Sequence, residues 1–329
     1  MIHLLRYETV KRVQSWQVLV CGAVLAYLML AAVTASVHVY HWFMLLLIPS
    51  VLLAREATQR FLLDWAPIIA FWLVYDRLRL AQRFILSRVA VEWPYNLERA
   101  LFGWLGGGDV PAHTWRAWLT THHGEWSIRL LSPGAQLVYF SHLFAVPLLL
   151  VLLWARARNN TESRDRFREY VRAFTALHVM AVLCYVLIPV APPWWVSLHS
   201  MSVPTPELVA HTSIQHAMDG VIIQRLIGNA SQWFAAVPSL HGAYPMLVLM
   251  LERKSGWRVL TSIAIYCAAM WASTVALNQH YFIDLAAGMA AAFAAYWIGG
   301  AIGLRAAADD SDRADARGYQ IRSGETHPR

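Results

Sequence analysis

The chain reads as an all-α, polytopic membrane protein, and three features of its residues predict this. Of its 329 residues, 58% are hydrophobic and only 14% charged, with 16 tryptophans, which is too apolar for an ordinary soluble domain of this length. Several apolar runs approach the roughly 20 residues that a helix needs to cross a hydrocarbon core of about 30 Å. The runs do not alternate apolar and polar residues as the strands of an outer-membrane barrel do, so the spans are helical.

Taken in order, the predicted spans are 16–37, 41–54, 61–76, 135–155, 172–191, 237–252, 257–277 and 281–303. The first follows Arg6, Lys11 and Arg12 and resembles a secretory signal in outline. It is longer than the usual 7 to 15 residues of a signal core and is read as a retained helix. The resulting organisation has N-terminal transmembrane helices in 1–76 and interfacial or re-entrant helices on the outer face in 77–134, broken at Gly106 to Gly108. The main transmembrane bundle occupies 135–303. The last stretch, 304–329, is rich in Asp, Arg, Ala and Gly without apolar periodicity and reads as a disordered cytoplasmic tail.

The formal charge of +7 does not mark a nucleic-acid partner, because the arginines flank spans instead of forming one basic face. With a cytoplasmic N-terminus, "RARNNTESRDRFREYVR" (156–172), "ERKSGWR" (252–258) and the tail all fall inside, as the positive-inside rule requires. The region 90–134, "PVAPPWW" from 189 and the two histidine-bearing stretches below then share the opposite surface. The expected location is a multi-pass protein of the plasma membrane with its site on the non-cytoplasmic face. Cys21, Cys184 and Cys267 lie inside predicted spans without CxxC spacing, which supports neither a disulfide nor a zinc cluster. His122, His123 and His142 lack the carboxylate-bearing helical repeat of a metal cluster.

Two stretches could carry chemistry. In "NQHYFID" (278–284), His280 and Asp284 are four apart and share one helix face. A carboxylate there accepts the imidazole Nδ1 proton and leaves Nε2 as nucleophile or base; taken alone, the same spacing also describes a satisfied polar pair. In "AAVPSLHGAYP" (235–245), His241 lies 39 residues before His280 at the start of another span. A lone histidine there would be an interfacial anchor. Two imidazoles on one membrane face could instead serve opposite oxygens of one phosphoryl group, with free N–H groups at the helix starts and the Ser239 hydroxyl attracting the anion.

"PSLH" followed by "HYFID" resembles the second and third signature motifs of the phosphatidic acid phosphatase type 2 superfamily, membrane-bound relatives of vanadium-dependent haloperoxidases. "YDRLR", "WPYNLERALFG", "VYFSHLFAVP" and "YVLIPVAPPWW" further resemble the branch that contains fungal inositol phosphorylceramide synthase. The resemblance covers about Tyr75 to Gly288. It implies a six-helix catalytic bundle, here with additional N-terminal helices, in which His280 attacks phosphorus and becomes a phosphohistidine, oriented by Asp284. It implies that His241 protonates the leaving oxygen and later takes the acceptor's proton, that Ser239 holds a phosphoryl oxygen, and that no metal or organic cofactor is needed.

The usual third motif has serine and arginine seven and six residues before the nucleophile, and here these are Ser273 and Thr274. The usual first motif, a lysine and an arginine before a proline, is not evident. Arg77 and Arg79 are the chosen substitutes, since positive-inside bias does not explain them and a guanidinium suits phosphate; binding of lipid headgroups explains them equally well. Pro192 and Pro193 stop a helix at the surface and, with Trp194, are expected to shape the way into the site, although Trp194 and Trp195 also read as interfacial aromatics.

The predicted function is a membrane phosphotransferase that moves a phosphate-bearing headgroup between a lipid and a polyol, inositol-like acceptor through a phosphohistidine. Hydrolysis of a lipid phosphate or polyprenyl diphosphate is the alternative within the same chemistry. A non-catalytic membrane scaffold is the alternative outside it.

Overall fold

The computed structural model describes residues 15–33, 56–122, 124–157, 161–212 and 233–324, so the span expected at 41–54 lies outside the described residues. The helices are α1 (Ser15–Val33), α2 (Glu56–Ile85), α3 (Glu92–Phe102), α4 (Pro111–Thr121), α5 (Trp126–Ala157), α6 (Thr161–Leu187), α7 (Pro193–His199), α8 (Pro206–His211), α9 (Leu240–Leu251), α10 (Trp257–Ala276) and α11 (Phe282–Gly324). Among the described residues there is no extended strand, only isolated bridges pairing Ala90 with Val190 and Val190 with Ala235. The all-α, polytopic class is as the composition predicts.

Among the described residues, four helical segments are long and apolar enough to cross a membrane: Leu131–Ala157, Glu162–Leu187, Trp257–Ala276 and Phe282–Arg305. Gln17–Leu30, Phe61–Tyr75 and Leu240–Leu251 are shorter apolar helices. The chain divides into two compact units, Met1–Ala66 and Pro67–Arg329. The division between 76 and 77 expected from sequence falls inside α2, because the polar "YDRLRLAQR" stretch continues the helix that the apolar residues begin. In the first unit, the rings of Phe61 and Trp65, one turn apart, stand 5.6 Å from each other.

In the second unit α11 packs against α9 and α6, α5 against α6 and α10, and α9 against α10. The region 86–121 is largely helical. Short 3-10 turns at Leu86–Arg88 and Gly103–Gly106 frame α3, and the chain reverses at Gly107 and Gly108, whose φ angles of 64° and 102° suit glycine. Prolines at the first positions of α4, α7 and α8 supply the fixed φ of a helix start where no N–H is required. Three connections are stitched together by backbone bonds. Ala90 N–H donates to Pro189 O at 2.9 Å, Ala191 N–H to Ala90 O at 2.9 Å and Val190 N–H to Phe234 O at 3.0 Å. Beneath them Leu86, Val89, Tyr139, Trp194, Trp195, Phe234 and Leu277 form one buried cluster. Trp195 is fully buried and Trp194 nearly so, which corrects their reading as interfacial aromatics: the prolines turn the chain inward and carry both rings into this core.

The tail also departs from expectation. The last helix runs to Gly324 instead of ending near 303. Alanine at 306–308, 314 and 316 and acid–base spacing such as Asp309 to Arg313 favour a helix where apolar periodicity is missing.

Candidate active site

The position of His280 follows from how α10 ends. Asn278 N–H donates to Val275 O at 2.8 Å and Gln279 N–H to Thr274 O at 3.0 Å, the paired bonds of a Schellman stop. Asn278 takes the left-handed residue of that stop with φ 60°, a conformation asparagine tolerates better than most residues. Two residues later His280 stands at the mouth of α11, 8% exposed.

His280 Nδ1 lies 3.2 Å from Asp284 Oδ2, and Asp284 is fully buried. The same oxygen accepts the Tyr281 N–H at 2.9 Å, so one carboxylate caps the helix and fixes the imidazole. Sequence reasoning missed the next partner. Glu98 of α3, also fully buried, accepts the N–H of Phe282 on Oε1 and that of Ile283 on Oε2, both at 3.0 Å. The first amides of α11 are therefore taken by carboxylates, and the free anion-binding helix start expected there is absent. Burial raises the Glu98 pKa to about 7; the two amide bonds oppose that rise and the nearby charge of Asp284 adds to it.

The second imidazole arrives on α9. Ser239 is its N-cap, with Oγ accepting the Gly242 N–H at 3.3 Å, which leaves the hydroxyl proton available to a phosphoryl oxygen. Ser239 N–H donates to Asp284 O at 3.1 Å, tying this cap directly to α11. Tyr185 of α6 holds the preceding residue through a 2.9 Å bond to Pro238 O. Two glycines permit the approach. A Cβ on Gly242 would stand 2.8 Å from Leu285 O, and one on Gly288 would overlap Ser239 O. Pro245, one turn on, lacks the N–H that would otherwise bond the His241 carbonyl.

As a result the His241 and His280 ring centroids are 5.2 Å apart, close enough for one phosphoryl group to meet both. His241 stacks on Tyr139 at 4.3 Å, and among the described residues its Nε2 is buried without a hydrogen-bond partner. His142, set aside in the sequence reading, lies 4.0 Å from His241. It sits one turn beyond Tyr139 on α5, inside the "VYFSHLFAVP" stretch, and that stretch is the signal that could have found it.

The remaining predicted residues divide. Ser273 and Thr274 turn their hydroxyls back to Met270 O at 2.8 and 2.6 Å, so the position of the missing motif arginine is satisfied within its own helix. Arg88, on the 3-10 turn that follows α2 and outside that predicted set, donates from Nη2 to Val186 O at 3.2 Å. Arg77 and Arg79 flank Leu78, which packs with Ala181 and Tyr185 in a cluster that Ala235 and Leu240 join. That places their stretch of α2 beside the His241 segment; only the backbone of Arg79 is described. Pro192 and Pro193 are buried, and the Trp194 N–H donates to Asn278 O at 3.1 Å, so this turn rests on the one that presents His280.

Residues 113–298 match the family model of the PAP2 superfamily, more than half of the chain. The chain is 26% identical over 272 residues to the phosphoinositol dihydroceramide synthase of Bacteroides thetaiotaomicron, covering 81% of this chain and 85% of that one. It is 32% identical over 137 residues to the inositol phosphorylceramide synthase of Candida albicans, covering 37% of this chain and 26% of that one. No solved structure matches. The paired imidazoles and the family match together make this chain a membrane enzyme of the lipid phosphotransferase and phosphatase kind, and it belongs to the PAP2 superfamily.

Proposed function

We propose that the chain transfers an inositol-phosphate-type headgroup from a lipid phosphodiester to a lipid alcohol of the ceramide kind, at the non-cytoplasmic face of the plasma membrane. The observation that carries this reading is the convergence of His241 on His280, 5.2 Å between rings, with Asp284 3.2 Å behind the nucleophile. In the first half-reaction His280 Nε2 forms a bond to phosphorus while the bond to the lipid oxygen breaks, and His241 gives that oxygen a proton. In the second, His241 takes the acceptor's hydroxyl proton, the oxygen attacks phosphorus and the N–P bond breaks. Ser239 holds one non-bridging oxygen. Arg77 and Arg79 supply positive charge, and Pro192, Pro193 and Trp194 shape the way in.

The names of the two relatives couple inositol phosphate to a ceramide, which supports this headgroup and this acceptor. An apolar groove of about 250 Å³ beside His142 supports a lipid-borne acceptor over a free polyol. On α5 its lining residues His142, Ala145, Val146 and Leu149 recur at helical spacing, a stripe about 10 Å long that leads from the imidazoles along apolar side chains.

Purified protein in vesicles tests the reading. With a phosphoinositol lipid and ceramide present, phosphoinositol ceramide should form, and ceramide phosphate with free inositol should yield little. Phosphate release from lipid phosphate at the same rate with or without an alcohol would assign hydrolysis instead. Transfer that survives both His280→Ala and His241→Ala would overturn the roles given to these residues, and a natural chain that turns over neither donor would leave only the scaffold.

A further inference from the structure

A second cavity shares no lining residue with the apolar groove and carries more polar groups on its walls. It is a cleft of about 220 Å³ lined by His113, Arg116 and Thr120 of α4, Trp194 and Ser197 of α7, and Asn278. Its volume lies below the roughly 300 to 1,000 Å³ of typical small-molecule pockets, so it suits one sugar-sized ring. Asn278, which lines the cleft, is only 5% exposed. Its Nδ2 donates to Ser197 Oγ at 2.8 Å, while its Oδ1 is buried without a hydrogen-bond partner among the described residues. A buried amide oxygen left unpaired costs free energy that a ligand hydroxyl would recover. Whichever way round the amide stands, one end is left, and a hydroxyl serves either because it both donates and accepts.

The other walls agree. His113 Nε2 is spent on Pro193 O at 2.9 Å, which braces α4 against the start of α7 and holds the cleft's width. Arg116 of α4 brings a guanidinium to the same wall, while Thr120, one turn on, gives its hydroxyl proton to the Arg116 and Ala117 carbonyls of its own helix. The cleft adjoins the reaction by connectivity, since Asn278 is both its floor and the turn residue two positions before His280. We propose that this cleft is the subsite for the polyol headgroup of the donor, taking the ring hydroxyls of an inositol-like group on Asn278, Ser197 and Arg116 while its phosphate lies at His280. This rests on the transfer reading above and names the part of the site that selects the headgroup.

The test compares two donors in vesicles, a phosphoinositol lipid with ceramide and a lipid phosphate bearing no headgroup. Arg116→Gln and Ser197→Ala should raise KM for the phosphoinositol lipid about tenfold, as the loss of one or two hydrogen bonds would, and change turnover of the bare lipid phosphate less than twofold. Equal changes on both donors, or none on either, would overturn the assignment. A second readout separates it from the parent reading. Millimolar free inositol should raise the thermal midpoint of the unaltered protein and fail to do so in Arg116→Gln. If that stabilisation appears without any headgroup transfer, the cleft stands and the transferase reading falls; if transfer occurs but inositol stabilises neither protein, the cleft falls alone.

Discussion

At the scale of single residues, the two imidazoles have different surroundings and so different tasks. His280 has a carboxylate on Nδ1 and is therefore held with Nε2 outward, the requirement for a nucleophile. His241 has an aromatic face against Tyr139 and a neighbouring imidazole in His142, and no carboxylate among its described partners, so it lacks the fixed orientation that Asp284 gives His280. This asymmetry predicts an asymmetric response. His280→Ala should abolish turnover of every donor. His241→Ala should slow transfer from a lipid donor by about 10²–10⁴-fold, the usual contribution of a positioned acid or base, and slow an aryl phosphate donor far less, because a phenol leaves without a proton. Initial rates for both donors in detergent decide the matter: equal losses on the two would mean that His241 does not act as the acid.

At the scale of elements, the site exists because α9 and α11 touch without side chains between them. Gly288→Ala should force Ser239 and the cap of α9 away from α11. The expected result is an overpacking loss of roughly 1–3 kcal/mol together with a larger loss of activity, since His241 moves with its helix. A variant that keeps full kcat would show that the close approach is not what sets the ring spacing. Glu98 is the third member of this joint, and its raised pKa gives it a sign. Its native pKa of about 7 lies above the ordinary 4.5, so between these values the folded state binds more proton than the unfolded one. Stability is then fully present below about pH 4.5 and declines as pH rises through 7, by roughly 3 kcal/mol at most. Thermal midpoints from pH 5 to 8 should fall more steeply for the natural chain than for Glu98→Gln, and parallel slopes would contradict the assignment. These contacts also mark where sequence reading stops. His280 and Asp284 were legible because a spacing of four is local. Glu98 was not, because its partners lie 184 and 185 positions away and nothing in "NLERALF" announces burial. Gly242 and Gly288 carry no chemistry of their own; only the partner's backbone gives them meaning. The tail misled in the other direction, since apolar periodicity reports packing and α11 continues on propensity.

At the scale of the whole molecule, the arrangement of charges and the arrangement of the site point to opposite ends of the bundle. Arg166, Tyr170 and Ser255 gather on Glu252 where α6 begins and α9 ends. His241 and His280 stand at the other ends of α9 and α10, beside the helices of 92–121 that carry no candidate span. Positive-inside reasoning makes the Glu252 end cytoplasmic, so the imidazoles and the polar cleft should open on the far side. Cysteine labelling tests this directly in cells expressing a chain whose Cys21, Cys184 and Cys267 have been replaced. Ser202 and Lys254 are both exposed, the first following α7 and the second in the turn between α9 and α10. A membrane-impermeant maleimide should label Ser202→Cys in intact cells and label Lys254→Cys only after permeabilisation. The reverse pattern would place the reaction in the cytoplasm. Donor headgroups would then be drawn from the inner leaflet, and the orientation argued from the arginines would have to be inverted along with the access route for every substrate.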